Sequence, residues 1–157
     1  MTFTVSYFQA HENEEWLDLW SAYLDRSSLV FDYNLAHANW RRFFDPASAL
    51  EALALKATDQ DNNNSIAGFA VLLFHENSGS DRLECYLHDL YVDENWRKHG
   101  GGHLLLSTIC DMCRARDIFR LSWTTSIHNE VAQSLYKHFA EPQNRLRYRA
   151  YFDGELE

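Results

Sequence analysis

The feature that most constrains this chain is a glycine-rich turn between a strand-like run and a helix-like run. The strand-like run ends at Val92, an acidic turn follows, and Arg97-Lys98-His99-Gly100-Gly101-Gly102 then leads into Leu104-Leu105-Leu106. Glycines at such a turn let backbone N–H groups approach an anion, and a helix N-terminus adds unsatisfied donors and a positive dipole. Arg97 is available for a charge-assisted contact to a phosphate. The segment predicts an anion cradle, with a simple tight turn as the alternative.

This turn matches neither of two common phosphate-binding motifs. The dinucleotide pattern G-x-G-x-x-G needs a glycine at position 105, where this chain has Leu105. A Walker A loop needs a Gly-Lys-Ser/Thr sequence, and the glycines here are followed by His103-Leu104 instead. The phosphate-binding interpretation therefore depends on what surrounds the turn.

A second pattern lies further along the chain, where Asn129–Phe139 predicts a helix after a strand. Asn129, Ala132 and Tyr136 recur at spacings of three and four, so they form one stripe on that helix. The small Ala132 side chain leaves room for a ligand, with an amide before it and a phenol after it. This stripe predicts a ligand-binding helix close to the turn.

Hydrophobic periodicity predicts a mixed α/β fold of order β-α-α-β-β-β-α-β-α-β, with helices on both faces of the sheet. The predicted strands are Thr2–Gln9, Ala52–Ala57, Ile66–His75, Leu83–Val92, Ile118–Thr125 and Leu146–Phe152. The predicted helices are Glu14–Arg26, Leu29–Phe44, Gly102–Arg116 and Asn129–Phe139. Internal repeats and long linkers are absent from the sequence, so we expect residues 1–157 to form a single domain.

The composition indicates which classes of partner and which cellular compartment to expect. Lys and Arg number 14 against 23 Asp and Glu, and the resulting net charge of −9 argues against a nucleic-acid partner. The same acidity suits a cationic amine, although many proteins with no such ligand are acidic. No apolar run approaches the roughly 18 residues of a membrane span, and the start of the chain lacks a secretory pattern. With three cysteines, which suit a reducing compartment, we expect a cytoplasmic protein with no membrane partner.

Three motifs together resemble the GCN5-related N-acetyltransferase (GNAT) superfamily. They are the strand Leu87–Val92, the turn Arg97-x-x-Gly100-x-Gly102, and Asn129 followed seven residues later by Tyr136. Within this superfamily, the pattern most resembles the diamine/polyamine-type and small-amine acetyltransferases. The resemblance implies one N-acetyltransferase domain, a GNAT-type mixed and mostly antiparallel sheet of about six to seven strands, and acetyl-CoA as co-substrate.

The resemblance also implies which residues bind coenzyme A. Backbone groups of Leu90, Tyr91 and Val92 would hold the pantetheine arm and stabilise the thioester carbonyl oxygen. Asn129 would hydrogen-bond the same arm, beside Ala132. The backbone amides of the turn would hold the pyrophosphate, from residues Arg97, Lys98, His99, Gly100, Gly101, Gly102 and His103.

Proton transfer is assigned in the same way. Tyr136 matches the family tyrosine that protonates the departing thiolate, and a phenol with a pKa of about 10 suits a thiol of about 8.5. The alternative for Tyr136 is a core tyrosine. Polyamine enzymes carry a glutamate where this chain has His88, next to the matching acid Asp89, and histidine also accepts a proton near neutral pH. Glu84 shares the same strand face by period two and is a second candidate base, while a packing role is the alternative for His88.

The acceptor site is expected near the aromatic N-terminal helices, because aromatic faces suit cationic amines. Tyr23 and Tyr33 are the candidates there, together with Asp89. His99 and His103 are four residues apart, but neither acidic nor cysteine ligands accompany them at metal-binding spacing. We therefore expect no metal.

We expect an enzyme that acetylates a primary amine of a small molecule, such as a polyamine or an amino acid, by direct attack in a ternary complex. A protein acetyltransferase acting on lysine or an N-terminus is an alternative, and so is a non-catalytic acyl-CoA-binding module. Family members often dimerise, and the predicted closing strand within Arg145–Phe152 would allow a homodimer by exchange or edge pairing.

Overall fold

A five-stranded sheet and four α-helices make up residues 1–26 and 29–152, the part of the chain that this computed structural model describes. The strands are β1 (Thr2–Tyr7), β2 (Leu50–Thr58), β3 (Asn64–Asn77), β4 (Ser80–Val92) and β5 (Arg120–Ser122). The helices are α1 (Asn13–Arg26), α2 (Tyr33–Arg42), α3 (Gly101–Ala115) and α4 (Glu130–Tyr136), and short 3₁₀ helices span Ala10–Glu12 and Glu94–Trp96. Strand order follows chain order; β1 to β4 pair antiparallel and β5 pairs parallel to β4. The predicted mixed, mostly antiparallel fold is confirmed.

Helices cover both faces of this sheet, which accounts for the high apolar content of its central strands. On one face, α1 and α2 contribute an aromatic cluster centred on Trp16, which stacks on Trp20 with ring centroids 5.1 Å apart and meets Phe69 of β3 at 4.9 Å. On the other face, α3 packs against the sheet, and the fully buried side chains there include Leu55, Leu72, Leu105, Leu106 and Ile109. Each such side chain contributes about 1.5–3 kcal/mol through burial.

Capping sets where the second helix begins. The Asp32 carboxylate accepts hydrogen bonds from the backbone N–H groups of Asn34 at 2.8 Å and Leu35 at 3.0 Å. An aspartate at this position satisfies donors that the first helical turn leaves open, so α2 starts at Tyr33 rather than at the predicted residue 29.

No helix in the described ranges is long and apolar enough to cross a membrane.

Strand β4 contains a bulge at His88. Val71 of β3 pairs with Asp89 and the adjacent Leu72 pairs with Leu87, so His88 is the extra residue. A bulge adds one residue to one strand and reverses the alternation of faces beyond it. Accordingly, Leu87 packs in the cluster under α3, whereas Tyr91 joins the aromatic cluster under α1.

The last two predicted strands are shorter than expected or missing. Only Arg120–Ser122 of the predicted strand Ile118–Thr125 pairs with β4. The predicted closing strand Leu146–Phe152 is wrong, because this segment is irregular and exposes 83% of Leu146, 86% of Tyr148 and 92% of Phe152. A three-residue β5 offers too short an edge for a further strand, so the described sheet has five strands rather than six or seven.

Candidate active site

A cleft opens where β4 and β5 separate. The two strands pair only from Glu84 to Tyr86 of β4, and beyond that point they diverge. The space between them has a volume of about 260 Å³. Among the predicted site residues, those that line it are Tyr23, His88, Leu90, Asn129 and Tyr136. A cleft bounded by the splayed ends of two parallel strands exposes backbone groups that have no strand partner.

The glycine-rich turn is shaped for close backbone approach. Lys98 and Gly100 have positive φ angles of 65° and 86°, a conformation that favours glycine. Gly101 is buried so closely against Leu55 that an added Cβ would lie 2.5 Å from its Cδ2 atom. The first intrahelical bond of α3 runs from the Leu104 N–H to the Gly100 carbonyl at 3.0 Å. The N–H groups preceding Leu104 in this helix are therefore the donors that its N-terminus offers to an anion.

Arg97 contacts the end of β4. Its Nε atom donates to the Val92 carbonyl oxygen at 2.8 Å, and its guanidinium lies over the Tyr91 ring, 5.5 Å from the centroid. These contacts fasten the turn to the end of β4. The phosphate contact predicted for Arg97 stays a prediction, and its guanidinium adds positive charge to the turn.

Helix α4 places its predicted stripe beside the turn. Gly102 packs against Leu135 of α4, where an added Cβ would lie 3.3 Å from the leucine Cδ2. Asn129 caps this helix, because its Oδ1 atom accepts the Ala132 backbone N–H at 3.2 Å. The cap uses the carbonyl oxygen of the Asn129 amide, so the amide N–H₂ is the group that can serve a ligand.

Tyr136 ends α4 with its ring against Trp123, at a centroid distance of 5.3 Å and an interplanar angle of 63°. Burial raises the pKa of the Tyr136 phenol above its ordinary value of 10.0, because a desolvated site disfavours the phenolate. The side chain is therefore protonated in the neutral range. It lines the cleft as a proton donor.

Three predicted residues meet at the opposite wall. The Tyr23 hydroxyl of α1 donates to Asp89 Oδ1 at 2.8 Å, and His88 Nδ1 lies 3.4 Å from Asp89 Oδ2. The side chain of Asp89 is 11% exposed and that of His88 is 58% exposed. A carboxylate beside Nδ1 favours a proton on that nitrogen, which leaves Nε2 as the basic atom of a neutral ring. The bulge in β4 lies at His88, so it sets how His88 and Asp89 are presented next to the cleft.

Two predicted residues lie elsewhere. Glu84 is 6% exposed and forms an ion pair with Arg120 of β5, at the paired end of the two strands. Tyr33 is 60% exposed at the start of α2, with its ring against His37 at 4.2 Å. Neither side chain lines the cleft, so the structure separates Glu84 from the other candidate base and Tyr33 from the other acceptor-site tyrosine.

The comparisons with known proteins decide the family. A model of the acetyltransferase (GNAT) family matches residues 6–140. The chain belongs to the GNAT family. The D-amino-acid N-acetyltransferase HPA3 of Saccharomyces cerevisiae (strain ATCC 204508 / S288c) is 30% identical to this GNAT protein over 146 residues, covering 92% of this chain and 88% of HPA3.

Solved structures share this GNAT fold over nearly the whole chain. The ribosomal-protein-alanine N-acetyltransferase of Brucella melitensis biovar Abortus 2308 superposes with a TM-score of 0.75 at 18% identity, covering 96% of this chain and 100% of that chain. AAC(6')-Iy, in complex with a bisubstrate analog containing CoA, superposes with a TM-score of 0.77 at 16% identity, covering 97% and 100%. The family prediction is confirmed, and the chain is an N-acetyltransferase.

The GNAT cleft also includes residues that sequence reasoning missed. Trp123 and Thr124 line it, and the Thr124 Oγ1 atom lies 3.1 Å from the Tyr86 hydroxyl. Trp123 and Thr124 follow β5 directly at its carboxyl end, which is where parallel strands commonly present ligand-binding residues. Arg147 reaches the same threonine from the C-terminal segment, with Nη1 to Oγ1 at 3.1 Å, and no motif marks it. In the described residues, no cluster of three His, Cys, Asp or Glu side chains is placed to hold a metal ion.

Proposed function

We propose that this GNAT enzyme transfers the acetyl group of acetyl-CoA to a primary amine of a small molecule, by direct attack in a ternary complex. The observation that carries the proposal is a protonated tyrosine, Tyr136, in a cleft whose helix α4 packs against Gly102 of the glycine-rich turn. The names of two similar proteins support a small amine acceptor, since one is a D-amino-acid N-acetyltransferase and the other is bound to an acetylneamine analog.

The residues present fit acetyl-CoA. The backbone N–H groups at the start of α3, at Gly101, Gly102 and His103, suit a pyrophosphate at a helix N-terminus. Pairing between β4 and β5 stops at Tyr86, so the edge of β4 over Leu90–Val92 can hydrogen-bond the pantetheine amides as an added strand would. The Asn129 amide N–H₂ would donate to the same arm. Exposed Lys98 would contribute positive charge near the phosphates.

The proposed reaction needs one base and one acid. The acceptor nitrogen loses a proton to His88 Nε2, directly or through water, and its lone pair attacks the thioester carbonyl carbon. Backbone N–H groups of β4 stabilise the oxyanion that forms. When the tetrahedral intermediate collapses, the C–S bond breaks and the thiolate takes the proton of the Tyr136 hydroxyl. The second proton of the attacking nitrogen passes to the Tyr136 phenolate, which restores the hydroxyl. A C–N bond has then replaced a C–S bond, the product leaves as a neutral amide, and His88 releases the proton of the ammonium group to solvent.

Asp89 and Tyr23 are proposed to position the acceptor amine. Their hydrogen bond of 2.8 Å fixes the Asp89 carboxylate beside Tyr23 and His88, which line the cleft, and a negative charge there favours an ammonium group on arrival. The same carboxylate lies beside His88 Nδ1 and would stabilise the imidazolium that forms when the base accepts a proton.

The experiment is a free-thiol release assay with acetyl-CoA and a panel of amino acids, polyamines, aminoglycosides and peptides. Tyr136→Phe keeps the ring against Trp123 and removes the hydroxyl, so we expect kcat to fall by about 10²-fold with little change in the KM for acetyl-CoA. Because burial raises the Tyr136 pKa above 10.0, the wild-type activity that depends on the protonated phenol should decline only above about pH 10. A variant with full kcat would contradict the acid assignment.

The same panel separates the competing functions. Thiol release only with peptides would favour a protein acetyltransferase, and tight acetyl-CoA binding without release would favour a non-catalytic module. The cytoplasmic location, the single domain over residues 1–157 and the homodimer stay predictions.

A further inference from the structure

Arg147 holds a cation at the edge of the cleft by contacts to neutral groups. Its guanidinium lies over the Tyr86 ring, 5.3 Å from the centroid, and Nη1 donates to Thr124 Oγ1 at 3.1 Å and to the Tyr86 hydroxyl. Within residues 1–26 and 29–152, Arg147 has no carboxylate within ion-pair distance, although the chain carries a net charge of −9. The guanidinium is therefore oriented, and no carboxylate of the described residues neutralises it.

This cation and the candidate base both contact a single aromatic ring, that of Tyr86. Tyr86 meets the His88 ring edge-on, with centroids 5.7 Å apart and planes at 87°, while the same tyrosine carries Arg147 on its face. Thr124, which binds Arg147, itself lines the cleft. The acceptor side of the cleft thus has the Asp89 carboxylate next to the His88 base, and the Arg147 guanidinium is connected to them through the Tyr86 ring.

We propose that Arg147 binds the carboxylate of the acceptor, so that the acceptor class is the amino acids. This inference rests on the proposed acetyl transfer to a small amine. A free amino acid carries an ammonium group for the Asp89 side and a carboxylate for the Arg147 side, and the guanidinium fork matches a carboxylate in a bidentate geometry. The Tyr86 and Thr124 hydroxyls hold the fork in place before the ligand arrives, which reduces the entropy lost on binding.

The net charge of the protein makes this cation important. An acidic protein repels a carboxylate at long range, so an anionic group needs a local positive charge where it binds. The same guanidinium disfavours a polyamine, because a second ammonium group would lie next to Arg147. Charge at this position therefore discriminates between amino acids and polyamines.

The test compares free amino acids of both configurations with their carboxamides, which keep the amine and lose the negative charge. The carboxamide corrects for general damage, so the informative quantity is the change in the ratio of kcat/KM values between wild type and variant. For Arg147→Gln we expect about a 10- to 100-fold loss of kcat/KM with the free acids, mostly through KM, and less than about a 3-fold change with the carboxamides. Arg147→Lys should recover part of the loss, because it restores the charge but not the fork.

Arg149→Ala is the matched control, because Arg149 lies in the same segment with its guanidinium 3.5 Å from the Tyr151 hydroxyl. It should leave both classes of acceptor unchanged. The proposal is overturned if Arg147→Gln lowers activity with acids and carboxamides equally. It is also overturned if the wild-type enzyme does not prefer free acids to their carboxamides.

Calorimetric titration of the same acids and carboxamides into the enzyme–CoA complex separates this inference from the proposed reaction. Thiol release from carboxamides and polyamines, with no Arg147-dependent preference for acids in turnover or binding, would keep the reaction and reject the carboxylate role. Absence of thiol release with every amine would reject the reaction. In that case, acid-selective binding that Arg147→Gln abolishes would still support the carboxylate site, and absence of such binding would reject it.

Discussion

His88 and Glu84 lie on one strand but in different electrostatic surroundings. His88 is exposed at the bulge, next to Asp89, whereas the Glu84 carboxylate is buried and held by Arg120. The Glu84 carboxylate is engaged by Arg120 and does not line the cleft, so it is out of reach of an acceptor bound there. At the residue scale, the choice of base is therefore governed by neighbours rather than by position in the strand period.

We expect His88→Gln to lower kcat/KM by about 10²-fold near neutral pH. It should also flatten the pH dependence between about pH 5 and 8, the range in which histidine side chains change charge. Glu84→Gln is the matched variant on the same strand; we expect it to lower the melting temperature, because Arg120 loses its partner, and to keep the wild-type pH profile. Full pH profiles of kcat/KM for both variants are the measurement. A flattened profile in Glu84→Gln alone would reverse the assignment.

At the scale of elements, the turn between β4 and α3 depends on backbone conformation more than on side chains. Gly100 adopts φ = 86° with no neighbouring atom within 4 Å of an added Cβ. The penalty for a side chain there is therefore conformational and not steric, about 1–2 kcal/mol for a left-handed residue. Relief of that strain would shift the turn and its N–H groups.

Gly100→Ala should accordingly raise the KM for acetyl-CoA by several-fold while the fold persists. Gly79→Ala is the control, because Gly79 lies in the β3–β4 hairpin, away from the cleft. Titration of CoA by calorimetry and a thermal melt of each variant separate binding from stability. Equal CoA affinity in Gly100→Ala and wild type would show that the turn does not hold the phosphates.

The same scale shows what the sequence could predict. Spacing along a helix and a glycine-rich turn are local properties, so both can be recognised from the sequence. The fold brings the helix of Asn129 and Tyr136 next to the turn. The bulge at His88 depends on pairing with β3, which no period along β4 reports. Residues Leu146–Phe152 alternate like a strand, but a strand needs an edge to pair with, and β5 is only three residues long. From this irregular segment Arg147 contacts Thr124, which lines the cleft.

For the whole molecule, the exposed C-terminal segment is the feature that a monomer does not explain. Tyr148 and Phe152 of this segment are 86% and 92% exposed. Large apolar side chains exposed on one segment are typical of a surface that another chain covers. A second copy of this chain, packed against the segment, would bury them.

We therefore expect light scattering to give a particle of twice 18.4 kDa that dissociates on dilution or in a Tyr148→Asp variant, because burying a new carboxylate in an apolar contact costs several kcal/mol. Val30→Asp is the matched control, because Val30 is also highly exposed, at 90%, but lies in the segment before α2 and not in the C-terminal segment. This control should retain the wild-type mass. A wild-type mass of one chain at every concentration would remove the dimer and leave the apolar segment without a partner of its own kind.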